Sequence, residues 1–201
     1  MGRAEQIDTA TPDYFLMRVS ITLLSYDHGI LREALDVLEE IADCGTWEEH
    51  RDILPEVDRF LQRFMDQYHH GKEERFVFPV AQTAGPPRLK ESIADLIEEH
   101  DQAKAFADAI SRSLADWNIE GLRINSLDLV AHMRHHIEQE ENFVFPELEN
   151  ILDPDQDLKA HEDAQRFMEE NFGASFQADM EQFANRLQDK VMGKGVIKYS
   201  V

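Results

Sequence analysis

Cysteine is almost missing from this chain. Cys44 is the only one in 201 residues, so no disulfide can close within it and a reducing compartment is permitted. Standing just before Gly45, Cys44 reads as a small residue at a helix end. Basic residues are also scarce, with 20 Lys and Arg against 41 Asp and Glu and a formal net charge of −21. Such a surface repels a phosphate backbone and argues against nucleic acid as a partner. Solvated helix faces account for most of the acidity. No apolar run approaches the roughly 18–20 residues that cross a bilayer, so no membrane span is expected. The opening MGRAEQIDTATPDYF lacks the apolar stretch of a secretory signal, and the expected location is cytoplasmic. No stretch sustains the alternation of a strand, which leaves an all-α fold.

What is present is helical periodicity. A polar arm over residues 1–13 precedes a first helix running from about Asp13 to Asp43, with the seam Ile21, Leu24, His28, Leu31, Leu35, Leu38 in steps of three and four. Thr46 caps a short turn, and Pro55 suits the first turn of a second helix over about 55–81. Its expected seam is Leu61, Met65, His69, Glu73, Phe76, Val80, with Pro79 ending or kinking the last turn. After the break AGPP a third helix reaches about Trp117 along Ile93, Leu96, His100, Ala103, Ala107, Ile110, Leu114. A fourth, after Gly121, runs to about Leu152 along Leu129, Met133, His136, Glu140, Phe143. Four antiparallel helices with short connections make an up-down-up-down four-helix bundle over residues 14–152. A break at 153–157 introduces a C-terminal extension, 153–201, with one or two further helices over 158–171 and 174–192. Packing on the bundle or a homodimer contact is its plain role.

The chemistry lies in a repeat. HHGKEERFVFP begins at His69 and HHIEQEENFVFP at His135; aligning the two FVFP strings puts His69 opposite His136 and Glu73 opposite Glu140. Each copy carries a His and, four residues on, a Glu, which a helix stacks on one face. Each pair follows a seam histidine, His28 or His100. A single HxxxE is a weak signal, but the doubled pattern puts four histidines and two carboxylates on otherwise apolar faces. An unpaired carboxylate in such a core costs several kcal/mol, and two at one level repel each other. A pair of divalent cations removes both penalties, with bridging carboxylates and neutral imidazoles; a buried ion pair is the bland alternative. His50, His70, His135 and His161 fall off the seams and read as solvated. His132, one turn before His136, could reach the site, but Met133 holds the seam there. Phe76, Phe78, Phe143 and Phe145 read as core that also dries one end of the metal chamber.

These residues, His28, His69 with Glu73, His100, and His136 with Glu140, each pair followed by an EE doublet and FVFP, resemble the hemerythrin-like family of HHE cation-binding domains over about residues 14–152. The resemblance implies a four-helix bundle around a non-haem di-iron centre, bridged by Glu73, Glu140 and an oxo or hydroxo group, with the four histidines as nitrogen ligands. The donor set also serves Mn and Zn. The implied ligands are dioxygen or peroxide; the implied functions are oxygen binding, redox sensing, iron handling, or peroxidase or catalase-like activity. Oxygen-carrying members place a second histidine one turn before the one on the third helix. Here that position is Leu96, which predicts four imidazoles, a less saturated iron and a more reactive site.

Overall fold

The computed structural model describes residues 18–195, which form six helices and no strand among the described residues. The expected N-terminal arm lies outside them. Helix α1 is Val19–Cys44 and ends at Gly45, whose φ of 67° is the left-handed turn that glycine adopts without strain. Helix α2 covers 54–84, α3 is Pro87–Ala115, α4 covers 119–151, α5 is Pro154–Phe172 and α6 is Phe176–Val191. The first four form the bundle; α5 and α6 pack one after the other along α1 and α2 as a C-terminal extension, without folding back on each other. No helix is long and apolar enough to cross a membrane among the described residues.

The seams of α1 and α3 are buried as periodicity predicts, apart from a half-buried Leu114. In α2 and α4 the prediction slips after the HxxxE pair. Phe76, Val80 and Phe143 are only half-buried, whereas Val77, Ala81, Val144 and Leu148 fill the core. The cause is local backbone: Glu73–Val77 and Glu140–Val144 are π-helical, with i→i+5 hydrogen bonds. The wider turn carries an extra residue, so the core face advances from Glu73 to Val77 and from Glu140 to Val144. It also lets each helix run on past its proline, because the widened turn accommodates the ring and the missing N–H. Pro79 and Pro146 therefore sit in the first turns of Phe78–Ala84 and Phe145–Ile151 instead of terminating them. The longest π-helical stretch, Leu61–His70, leads directly into the first pair.

The expected break at 153–157 is instead the start of α5. Asp153 accepts from the backbone N–H groups of Asp155 and Gln156, the Gln156 side chain accepts from the Asp153 N–H, and Pro154 occupies the first turn. This reciprocal cap satisfies donors at the helix entrance. Asp157 then receives the N–H groups of Val19 and Ser20 and the Ser20 hydroxyl, tying α5 to the start of α1. The faces of α6 that bear Phe183, Ala184 and Leu187 complete the larger of two apolar clusters. The smaller cluster, built around Leu24, Phe78, Leu96 and Phe145, closes the opposite end of the bundle.

Candidate metal centre

Between the two apolar clusters the bundle encloses polar side chains. His28, His69, Glu73, His136 and Glu140 are fully buried, and His100 nearly so. Two groups of donors emerge, each with ligand atoms within 4.8 Å of one another: His28, His69, Glu73 and Glu140, and Glu73, His100, His136 and Glu140. Both carboxylates are common to the two. Glu140 lies 3.1 Å from His28 Nε2 and 3.5 Å from His136 Nε2; Glu73 lies 3.6 Å from His69 Nε2 and 3.4 Å from His100 Nε2. Each Glu thus faces one imidazole of either half, as a carboxylate placed to span two cations would.

A second layer of carboxylates fixes how the rings face. The Nδ1 atom of His28 lies 2.9 Å from Glu141, that of His100 2.7 Å from Glu74, and that of His136 2.9 Å from Glu99. His69 Nδ1 has a longer contact, 3.5 Å to Asp27. A proton held at Nδ1 by a carboxylate leaves the Nε2 lone pair toward the centre of the bundle, the usual arrangement of a metal-ligating histidine. This layer is duplicated too: Asp27 and Glu99 immediately precede His28 and His100, and Glu74 and Glu141 are the second members of the EE doublets. Lys72 and Gln139, three residues after His69 and His136, bind Asp27 and Glu99 respectively. Phe145 stacks on His28 with centroids 5.3 Å apart, and Phe78 faces His100 at 6.0 Å. Those two phenylalanines dry the chamber, whereas Phe76 packs on Phe167 of α5 and Phe143 lies under Arg88.

His70 overturns the expectation of a solvated residue. It is buried and stacks on His100 with ring centroids 3.8 Å apart, and it joins His100 and His136 in a third convergent group. The π-helical turns of Leu61–His70 explain this, since a widened turn brings two successive residues inward where 3.6-residue periodicity allows one. Leu96 lies in the smaller apolar cluster as expected, but α2 supplies the fifth imidazole that α3 lacks. His132 points elsewhere, with its Nε2 2.8 Å from the Glu99 carbonyl. His135 is exposed, and His50 and His161 are half-buried; none of them joins a convergent group among the described residues.

Electrostatics favour a cation here. Burial depresses the basicity of His28, of His69 to about 3 and of His136 to about 4; it does the same to His70, with the neighbouring imidazoles adding to the effect. These rings are neutral donors at pH 7. Burial pushes the Glu73 carboxyl up to about 8, and burial with the facing Glu73 charge pushes Glu140 well above its usual range. His28 Nε2, both nitrogens of His69 and His70 and all four oxygens of Glu73 and Glu140 are buried with no hydrogen-bond partner among the described residues. A cluster of unsatisfied lone pairs around shared carboxylates fits a metal, because metal bonds use those lone pairs and positive charge stabilises both carboxylates.

Residues 19–148, which contain all of these side chains except those of α5 and α6, match the hemerythrin HHE cation-binding domain. The chain belongs to the hemerythrin HHE cation-binding domain family. Among curated proteins this HHE chain is similar to the uncharacterized protein Rv1995 of Mycobacterium tuberculosis and the uncharacterized protein Mb2018 of Mycobacterium bovis. Each is 25% identical over 137 residues, which is 64% of this chain and 53% of the relative. The HHE chain therefore spans about half the length of the curated relatives it matches. No solved structure matches it. Helices α5 and α6 lie beyond the matched residues.

Proposed function

We propose that this HHE domain holds a non-haem di-iron centre and binds dioxygen or a reduced oxygen species. Glu73 and Glu140 would bridge the metals; His28 and His69 would complete one half, and His100 and His136, joined by His70, the other. The observation that carries this reading is the convergence of buried, unpartnered imidazole and carboxylate atoms around two shared carboxylates. When bound, an iron pair supplies redox chemistry toward oxygen species. The chain's residues do the rest. Carboxylates at Nδ1 hold the outward proton of each paired histidine, and Phe78 and Phe145 keep water from the His100 and His28 rings.

Four donors converge in each half, and His70, which converges with His100 and His136 in a group of its own, would raise the second half to five. The smaller set leaves more coordination capacity there for an incoming molecule, which favours reaction over reversible carriage and makes peroxide consumption the second reading. Absorption spectroscopy of the iron-loaded protein separates them. A stable visible band on aerating the reduced protein supports oxygen binding, and rapid bleaching with consumption of many equivalents of added peroxide per chain supports the enzyme. A spectrum indifferent to both oxidants refutes both readings.

A further inference from the structure

The duplicated second layer is broken at one place. Glu99 bonds His136 and Gln139 and keeps a fifth of its side chain in solvent. Its counterpart Asp27 is one methylene shorter and wholly enclosed. Lys72 holds one of its oxygens, and the amide of Gln177, on α6, donates to the other at 2.6 Å. Gln177 thus brings α6 to within one residue of His69. Among the described residues the Glu99 side chain is held by His136 and Gln139 and not by α6.

The placement of α6 governs the surroundings of Asp27. A cavity of about 440 Å³ lies between α1, α2, α5 and the start of α6; Lys72, Tyr68, Met168 and Gln177 contribute to its walls. Outward movement of α6 would withdraw the Gln177 amide and admit water from this cavity to the Asp27–Lys72 pair. A solvated Asp27 would be free to turn from His69, whose contact is already the longest of the four. Outer carboxylates orient a ligating imidazole and raise its donor strength, and losing one typically weakens metal affinity about 10–100-fold.

We propose that Gln177 is a positioning residue of the metal centre: it holds Asp27 in place for His69, so that docking of α6 and metal occupancy of the His28–His69 half favour one another. The inference rests on the metal-centre reading above. By linkage, whatever factor the docked α6 adds to metal affinity, bound metal adds to the docking of α6. Helix α6 becomes an element whose stability reports metal occupancy.

The test uses the full chain, the near-isosteric variant Gln177→Met, and Gln165→Leu as a control on the same cavity wall that does not contact Asp27. Anaerobic Fe²⁺ titration against a competing chelator measures the two binding steps, and hydrogen exchange follows residues 174–191 with and without Fe²⁺. The expected result is one step weakened about tenfold or more in Gln177→Met and neither in Gln165→Leu, at the scale of a lost outer partner. Fe²⁺ should slow exchange in α6 of the wild type and of Gln165→Leu, and do so far less in Gln177→Met. Unchanged affinities in Gln177→Met, or equal losses in both variants, would overturn the role of Gln177 while leaving the metal centre standing. A wild-type chain that binds no Fe²⁺ would overturn both.

Discussion

Replacing Glu140 with leucine should stabilise the metal-free protein and destabilise it relative to wild type once metal is added. The Glu140 carboxylate is fully buried, faces the Glu73 carboxyl, and has its oxygens near imidazole nitrogens that are themselves lone-pair donors. Nothing among the described residues donates a hydrogen bond to it. Exchanging a buried ionisable group for an apolar one of similar volume is worth about 1–4 kcal/mol in such settings. With a urea slope of roughly 2 kcal/mol per molar, a 2 kcal/mol gain moves the unfolding midpoint up by about 1 M. In the presence of metal the order should reverse, because a site filled at 1,000 times its dissociation constant adds about 4 kcal/mol to the wild type. The variant, deprived of a shared carboxylate, should gain far less. Urea unfolding of both proteins in chelator and in excess Fe²⁺ under anaerobic conditions measures all four midpoints. A Glu140→Leu midpoint below wild type in chelator would refute the reasoning, since the carboxylate would then belong to a satisfied structural network.

Other consequences follow from single side chains. His70→Leu should retain two metals per chain but weaken one binding step at least tenfold, whereas His132→Leu should leave both steps unchanged; metal competition assays distinguish them. Arg134 spans Asp36 and Glu39 with contacts of 2.7–2.8 Å while one third exposed. Arg134→Met should therefore cost about 1–3 kcal/mol, below the 3–5 of a fully enclosed pair, and Asp36→Asn in the same chain should recover part of it on denaturant unfolding. Asp153→Ala removes the cap of α5 and should cost about 1 kcal/mol, seen first as faster hydrogen exchange in α5.

The bundle and its two HxxxE pairs were legible because both depend on local spacing. Four seams with period near 3.6 state which faces meet, and a carboxylate on such a face announces its own cost. What stayed hidden had a different physical origin. The π-helical turns at Leu61–His70, Glu73–Val77 and Glu140–Val144 add residues that no fixed period anticipates. Hence His70 read as solvated, and Phe76, Val80 and Phe143 read as core. The outer carboxylates did leave a trace, an acidic residue before each lone histidine and a second Glu after each bridge candidate, but in an acidic chain that trace resembles ordinary helix surface. The bond from Gln177 to Asp27 joins residues 150 positions apart and needed the folded arrangement. Residues 153–157 read as a break because Asp, Pro and Gln serve equally in a loop and in the cap that opens a helix.

The most direct test of the central claim is metal content. The wild-type chain, expressed with iron and desalted, should carry two irons per chain by elemental analysis, and Glu73→Ala, which removes a carboxylate common to both halves, should lose most of that load while remaining helical by circular dichroism. An unchanged iron content in a folded Glu73→Ala protein would contradict the shared-carboxylate centre.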